Sequence, residues 1–294
     1  MKNHFRGSLA LILATVIWGS AFVAQSVGMD LIGPFTFQSV RCILAVAFLV
    51  IVLWISNPKG FFSSWRNPKL WKAGVPCGIA LFAASGLQQM GMVYTDAGKA
   101  GFLTAMYIVL VPILGLFLKK KPPKTAFFSV ILAVAGLYLL SCVGVTSINV
   151  GDFLLIGCAL AFAVQITLVD RLSQDLNGMQ LNCVQCMVNA VLSIITMFLF
   201  EDPKIGPIVD CWLPLCYTGI LSLGVAYTLQ IVGQQYLEPT AASLIMSLES
   251  VFAVLTGWLI LHETLSPAEA AGCVLVFIAI ILSQIPEKIF KLKK

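Results

Sequence analysis

Apolar runs of about twenty residues recur along the whole of this 294-residue chain. A membrane-spanning helix needs about 20 consecutive, mainly apolar residues, so each run is long enough to be one. Hydrophobic residues make up 59% of the sequence and charged residues only 11%, against about 25% charged in an average soluble domain. So few charges cannot cover a water-facing surface. This argues against a soluble enzyme, a disordered chain and a disulfide-stapled secreted module.

We predict an all-α integral membrane protein with ten transmembrane helices. The breaks between them carry turn-forming pairs such as Gly33-Pro34, Asn67-Pro68, Asn177-Gly178 and Glu238-Pro239. The predicted spans lie near 8–28, 35–55, 71–93, 98–118, 126–143, 152–170, 180–200, 211–235, 240–261 and 268–285. The first run follows basic residues, as a signal peptide does, but its apolar stretch is too long for one. We interpret it as a retained first helix.

The basic residues agree with ten spans. With the amino terminus inside, all of the 18 Lys and Arg residues except Lys99, Lys204 and Arg41 fall in inner loops and tails. Cytoplasmic loops of membrane proteins carry such an excess. The net charge of +5 is therefore a topology signal, and nucleic acid is not an expected partner. We expect a multi-pass protein of the plasma membrane, monomer or homodimer, with both termini cytoplasmic.

The two halves of the chain resemble each other. The segments 86–94 and 227–236 match at an offset of 142, and the same offset continues as far as Ser141 and Ser283. We predict two five-helix repeats, residues 1–146 and 147–294. Because five is odd, the second repeat would cross the membrane in the opposite orientation. Inverted repeats are typical of secondary transporters, whose substrates bind near the midplane between the halves.

Two full charges, Arg41 and Glu249, lie inside predicted spans. Inserting each costs about 2.5–3.5 kcal/mol, so each should face a cavity or a partner. Glu249 is a candidate titrating or cation-binding carboxylate, because removal from water disfavours its charged form. Arg41 would orient a substrate carboxylate or hold the fold together. For both residues, a structural ion pair or bonds to backbone carbonyls remain the alternative.

Polar and aromatic side chains recur at helical spacing around these charges. The polar layer is itself duplicated, because an offset of 144 sets Gln38 and Arg41 opposite Asn182 and Gln185. Hydrogen bonds between helices account for part of this layer without any ligand, and the rest predicts a polar cavity. The predicted substrate-binding residues are Trp18, Gln25, Arg41, Gln88, Gln89, Tyr107, Gln165, Tyr227, Gln230 and Glu249, with Glu249 as the proton-coupling residue.

Other motifs give no sign of catalysis or metal binding. His262-Glu263 lacks a second histidine, because Ser266 stands in its place. Cys183 and Cys186 form a CxxC pair inside an apolar helix, where cysteines behave as small hydrophobes. We expect no cofactor, no metal and no catalytic residue.

Several motifs together resemble the EamA-type members of the drug/metabolite transporter superfamily. They are Trp18-Gly19-Ser20-Ala21-Phe22, Arg41, the run 95–104 leading to Val111-Pro112, the run 247–252 and the run 257–263. The resemblance covers essentially the whole chain. It implies a ten-helix inverted-repeat carrier with cytoplasmic termini that moves amino acids and other small metabolites, often outward.

Two departures from the family pattern stand out. Ser250 replaces the proline that many relatives carry after the glutamate, which predicts a less kinked helix there. Tyr107 occupies the place in the first repeat that Glu249 has in the second.

The leading hypothesis is a secondary active transporter, an exporter of small metabolites such as amino acids, that works by alternating access and is not an enzyme. The alternative is an integral-membrane enzyme acting on a lipid-linked substrate, and a scaffold protein is a third class. The enzyme would need paired carboxylates, a histidine cluster or a metal motif, and the sequence offers none of these.

Overall fold

The structure, a computed structural model, describes residues 2–95, 97–119, 124–141, 148–260 and 266–284. All regular elements in these ranges are helices. Those of the first half are α1 (Lys2–Leu31), α2 (Pro34–Ser56), α3 (Phe61–Ser64), α4 (Pro68–Met92), α5 (Ala97–Ala105), α6 (Tyr107–Phe117) and α7 (Lys124–Ser141). Those of the second half are α8 (Val150–Leu172), α9 (Gly178–Phe200), α10 (Ile205–Asp210), α11 (Trp212–Cys216), a π-helical segment (Tyr217–Ala226), α12 (Tyr227–Gln234), α13 (Pro239–Met246), α14 (Leu248–Ile260) and α15 (Pro267–Gln284).

The turn-forming pairs in the sequence set several helix starts, as predicted. Helices α2, α4 and α13 each begin with a proline, which suits the first turn because the N–H it lacks has no helical partner there. Asn177 caps α9 by accepting hydrogen bonds from the amides of Met179 and Gln180. Asn149 and Asp152 form a reciprocal capping box at the start of α8.

Eight segments of the described chain are long and apolar enough to cross a membrane. They are His4–Leu31, Pro34–Ser56, Pro68–Met92, Gly98–Phe117, Val150–Leu172, Gly178–Phe200, Trp212–Gln234 and Pro239–Leu259. The fifth and tenth predicted spans coincide with two shorter apolar helices, Thr125–Ser141 and Pro267–Ser283. The all-helical membrane class is therefore confirmed, and the number ten stays a prediction.

Helices of the first half pack mainly on helices of the second. α7 lies along α15, α4 lies against both α8 and α9, and α2 packs on α9 and on the π-helical segment. α1 contacts α12 and α14. Where α7 crosses α15, a Cβ on Gly272 would lie 2.6 Å from the carbonyl oxygen of Gly136, so only glycine allows this approach.

Two of the spanning segments are interrupted near their middle. The first breaks at Met106, between α5 and α6, and the other breaks at Ser247, between α13 and α14. The segment that carries Glu249 is thus interrupted although Ser250 stands in place of proline, and the degree of kinking stays a prediction. The Ser247 hydroxyl donates to the carbonyl of Leu244 at 2.7 Å, and such a bond back to the preceding turn bends a helix.

The span Trp212–Gln234 contains ten π-helical residues. The wider winding leaves carbonyls that a neighbour can bind, and Asn182 of α9 donates from Nδ2 to the carbonyls of Leu223 and Gly224, both at 2.9 Å. π-helical turns are rare and recur at functional sites. Here the segment supplies part of the wall of an internal cavity.

Candidate functional site

An internal cavity lies between the two halves of the chain. Its lining comes from eight helices and the π-helical segment: Trp18, Phe22, Gln25, Arg41, Gln88, Tyr107, Phe162, Ile166, Ser222, Leu223, Tyr227, Gln230, Met246 and Glu249. The space inside it that the centre of a water molecule can reach is about 40 Å³, whereas one bound water needs about 10–15 Å³. In this conformation the cavity therefore has room for a few waters or a small chemical group.

Arg41 places a buried positive charge on the cavity wall. Its side chain is 3% exposed, and its donors reach two amides rather than a carboxylate. Nη1 donates to Oε1 of Gln25 at 2.7 Å, and Nε donates to Oε1 of Gln38 at 2.8 Å. The guanidinium also lies 5.6 Å from the ring centroid of Phe37. Neutral acceptors hold the guanidinium in place and leave its charge uncompensated.

Gln38 connects Arg41 to the helices behind it. Its Nε2 donates to Oγ of Ser85 at 2.5 Å and to Oδ1 of Asn189 at 3.1 Å. These contacts tie α2, α4 and α9 together at the level of the charge. The arginine is thus positioned through a hydrogen-bonded support that reaches both halves of the chain.

Glu249 places a buried carboxylate on the same cavity, at the start of α14. Its Oε1 accepts a hydrogen bond of 3.0 Å from the Tyr107 hydroxyl, and the side chain is 6% exposed. Within the described ranges, neither Glu249 nor Arg41 has an oppositely charged group within 4.0 Å, since the ion pair there joins Lys99 and Asp152. The cavity therefore presents a basic and an acidic side chain that are not joined in an ion pair.

Amide side chains form a relay behind the cavity. Gln230 donates from Nε2 to Gln165 at 3.0 Å and to Gln234 at 2.9 Å. Gln165 donates to Gln185 at 3.3 Å, and Gln185 donates to Asn182 at 2.8 Å. In the membrane interior such groups need partners, and this relay supplies most of them.

Two buried polar atoms of the cavity residues have no partner within the protein. They are the indole Nε1 of Trp18, a donor, and Oε1 of Gln230, an acceptor. Leaving a buried polar atom unpaired costs about 1–3 kcal/mol. A ligand or water in the cavity would remove that cost.

Aromatic rings form the remaining walls. Trp18 and Tyr227 meet edge to face with centroids 5.0 Å apart, and Tyr107 meets Phe162 in the same way at 6.5 Å. These rings fix the orientation of both tyrosine hydroxyls next to the charged groups.

The structure brings eight of the ten predicted binding residues to the cavity, namely Trp18, Gln25, Arg41, Gln88, Tyr107, Tyr227, Gln230 and Glu249. The other two lie outside its lining. Gln165 is fully buried in the amide relay, and Gln89 is fully buried with Nε2 against the Met29 sulfur at 3.6 Å.

The predicted binding residues did not include six residues of the lining: Phe22, Phe162, Ile166, Ser222, Leu223 and Met246. Ser222 and Leu223 belong to the π-helical segment, which no sequence pattern indicates. Ile166 stands at the offset of 144 from Phe22, which also lines the cavity, so the internal repeat relates these two residues.

The remaining motifs add no second site within the described ranges. Cys183 and Cys186 are buried free thiols in α9, and no group of three or more potential metal ligands occurs there. His262 and Glu263 lie outside the described residues.

Polar contacts join the halves at one end of the helices, where Nδ2 of Asn149 donates to the carbonyl oxygen of Tyr94 at 2.8 Å. Nζ of Lys99 on α5 lies 2.6 Å from Oδ2 of Asp152 on α8. Glu201, after α9, accepts hydrogen bonds from the amides of Phe35 and Thr36 at 2.9 and 2.8 Å. Glu201 thereby occupies the amino-terminal end of α2, where a carboxylate is favoured.

The sequence profile of the EamA-like transporter family matches this chain twice, over residues 5–142 and 149–284. An uncharacterized transporter of Archaeoglobus fulgidus is 34% identical over 275 residues, which cover 93% of this chain and 84% of that protein. The uncharacterized transporter YoaV of Bacillus subtilis is 24% identical over 283 residues, 94% of this chain and 95% of YoaV.

The fold is also similar to that of a solved crystal structure, with a TM-score of 0.75 and 18% identity over 96% of this chain and 99% of the other. The family description and the relatives' names are those of transporters and not of enzymes. The chain is therefore a multi-pass membrane protein that belongs to the EamA-like transporter family of the drug/metabolite transporter superfamily.

Proposed function

We propose that this protein is a secondary active transporter that exports small metabolites such as amino acids across the plasma membrane. Its ten membrane spans form two inverted repeats, residues 1–146 and 147–294, with both termini in the cytoplasm. The halves rock around the cavity so that it opens alternately to the two sides. Glu249 couples this movement to protons.

The observation that carries the proposal is the presence of a basic and an acidic side chain, neither of them in an ion pair, in one cavity between the halves. Arg41 and Glu249 line the same space, and neither has an oppositely charged partner among the described residues. A buried charge without a partner is expensive and is therefore retained where a ligand or a proton completes it. A zwitterionic metabolite would satisfy both, with its carboxylate at Arg41 and its ammonium group near Glu249.

The internal repeat supports the inverted architecture. Four pairs of cavity residues stand at equivalent positions in the two halves: Trp18 with Phe162, Phe22 with Ile166, Gln88 with Gln230 and Tyr107 with Glu249. The packing is reciprocal as well, because α1 contacts α12 and α14 much as α8 contacts α4 and α6. Such reciprocity is expected when a twofold axis relates the halves.

The charge distribution within the cavity is not symmetric. Arg41 and Tyr227 correspond to Gln185 and Ser85 in the opposite halves, and neither Gln185 nor Ser85 lines the cavity. A substrate would therefore have one preferred orientation, with its anionic end toward α2. The asymmetry supports a carrier that recognises a polar end group.

Alternating access requires the contacts between the halves at one end to break. The Lys99–Asp152 ion pair, the bond of Asn149 to Tyr94 and the bonds of Glu201 to the start of α2 are among the polar contacts that would have to open on that side. With the amino terminus in the cytoplasm, this side faces outward. We therefore propose that these contacts hold the outer entrance closed in the present conformation.

The test is substrate flux with purified protein in proteoliposomes. Candidate amino acids, polyamines and nucleosides are first screened by thermal shift, and the best ligand is then used for counterflow. We expect Glu249→Gln to abolish pH-dependent uptake, whereas Glu238→Gln, an exposed glutamate, should transport like the unchanged protein. Unchanged rate and pH dependence in Glu249→Gln would remove Glu249 from the mechanism, and hydrolysis or modification of a lipid without counterflow would overturn transport itself.

A further inference from the structure

The segment 57–72 between α2 and α4 combines exposed basic residues with exposed aromatic rings. Lys59, Arg66, Lys69 and Lys72 are all exposed, and the sequence contains no Asp or Glu between Asp30 and Asp96. Within the described part of the chain, none of the four has an acidic group within 4.0 Å. The segment is therefore a patch of positive charge that the protein itself does not neutralise.

Aromatic contacts give this segment a fixed shape. The ring of Phe61 lies 5.3 Å from that of Phe62 and 5.8 Å from that of Trp65, and Trp65 lies 6.3 Å from Trp71. The indole Nε1 of Trp71 donates to the carbonyl of Trp65 at 2.8 Å. A loop that only marked membrane topology would need its charges but not this connected set of rings.

The same segment leaves apolar area uncovered. Phe62 is 77% exposed and Trp71 is 41% exposed, while Phe61 and Trp65 pack on the protein interior. Aromatic side chains are enriched where a membrane meets water, with the ring at headgroup level. The exposed rings and the basic side chains would thus contact the same layer of the bilayer.

The corresponding segment of the second half, 201–212, provides a comparison. It also carries a short helix, α10, and exposed apolar residues such as Ile205 and Trp212. Its charges are the reverse, with Glu201, Asp202 and Asp210 against Lys204. Apolar exposure is thus common to both segments, whereas concentrated positive charge belongs to 57–72.

We propose that the segment 57–72 is a binding surface for anionic phospholipids, with its four basic side chains on the headgroup phosphates and Phe62 and Trp71 at the boundary with the acyl chains. Basic residues next to a membrane attract anionic lipids over about one Debye length. The ring contacts order the backbone between Phe61 and Trp71, so the basic side chains are presented from one ordered segment. Lipid binding at this surface would depend neither on a transported substrate nor on proton coupling.

The test compares lipid binding to the full-length protein in detergent by native mass spectrometry. Phosphatidylglycerol and phosphatidylcholine with identical acyl chains are added separately. We expect several-fold more retained phosphatidylglycerol than phosphatidylcholine, and loss of this preference when Lys59, Arg66, Lys69 and Lys72 are all changed to Gln. Raising the salt concentration before detergent exchange should weaken the preference in the unchanged protein.

The matched control changes Arg6, Lys119, Lys124 and Lys204 to Gln, which alters the net charge equally and leaves the segment intact. It should keep the preference for phosphatidylglycerol. Equal loss in both variants, or no preference in the unchanged protein, would overturn the proposal. If the fourfold variant of the segment fails to fold, the single variants Lys59→Gln and Arg66→Gln, both at exposed positions, replace it. Each variant should reduce the preference for phosphatidylglycerol, and an unchanged preference in both would refute the proposed binding surface.

Discussion

The hydroxyl of Tyr107 donates a hydrogen bond of 3.0 Å to Oε1 of Glu249, and the two residues are 142 positions apart. This separation equals the offset at which the two halves of the sequence repeat. Both residues also follow an interruption in a spanning segment, at Met106 and at Ser247. Equivalent residues of two repeats can meet only near the axis that relates them, so in the proposed architecture this bond marks that axis.

Removing the Tyr107 hydroxyl should impair transport without unfolding the protein. In Tyr107→Phe, Oε1 of Glu249 loses its donor inside the cavity, and an unpaired buried acceptor costs about 1–3 kcal/mol. We expect counterflow to fall about tenfold or more. Tyr138→Phe, which changes a tyrosine that is 53% exposed, is the control. Equal rates in the two variants would contradict a role for the bond.

Lysine at position 41 should not be able to take over the structural role of Arg41. Lysine keeps the charge but lacks the planar fork, so Gln25 and Gln38 cannot both keep the donors they now have. We expect Arg41→Lys to lose about 1–3 kcal/mol of stability, measured by thermal unfolding in detergent. The exposed Arg171→Lys should unfold like the unchanged protein. An Arg41→Lys variant that is equally stable would show that the fork geometry is unimportant.

Trp18→Phe should separate substrate binding from stability. The change removes an indole N–H that is buried without a partner, so no protein hydrogen bond is lost. A substrate that accepts from this group should bind about tenfold more weakly, while the melting temperature without substrate should change little. Trp258→Phe, at a site that is 51% exposed, should alter neither quantity. Unchanged affinity in Trp18→Phe would place the substrate away from the indole nitrogen.

Glu201 should protect the start of α2 from hydrogen exchange. Its carboxylate accepts from the amides of Phe35 and Thr36 and from the Thr36 hydroxyl, the last at 2.6 Å. Because bonds to a charged acceptor contribute about 1.5–3 kcal/mol, we expect Glu201→Ala to accelerate exchange of these two amides at least about tenfold. The neighbouring Asp202→Ala changes an exposed acid and should leave both rates unchanged. Slow exchange in Glu201→Ala would show that other contacts hold this end closed.

Side chains at Gly272 should force α7 and α15 apart. A Cβ there would lie 2.6 Å from the backbone oxygen of Gly136, and backbone cannot move aside as a flexible side chain can. We expect Gly272→Val to cost about 1–3 kcal/mol of stability, seen as a lower melting temperature. Gly86→Ala meets no atom within 4 Å and should be neutral or slightly stabilising. A stable Gly272→Val would mean that the two helices separate without penalty.

The sequence predicted the spans well because their signals are local. Runs of apolar residues report directly on burial in lipid, and proline or asparagine at Pro34, Pro68 and Asn177 marks helix starts by chemistry that acts within one turn. The interruption at Ser247 and the π-helical winding of 217–226 were not predicted, because both depend on bonds between neighbouring turns and helices.

Most of the cavity was predicted from polar side chains that are out of place in an apolar span. That rule identifies Arg41, Glu249 and Gln230, but it cannot distinguish a residue that faces the cavity from one that supports it, as Gln165 does. It also misses apolar lining residues such as Leu223. Asp152 and Lys99 lie far apart in sequence, and only the fold brings them together.

The small size of the cavity has a consequence for selectivity. A space that admits only a few waters cannot take up a metabolite until the halves separate, so recognition and opening become a single event. The apparent affinity of every compound then includes the free energy of opening, and an open state populated at about 1% would weaken it about a hundredfold. Variants that loosen Lys99–Asp152 or Glu201 would thereby strengthen the binding of all substrates together. Which compounds are carried would depend on the cavity. How tightly they bind would depend also on the contacts at the outer end of the helices.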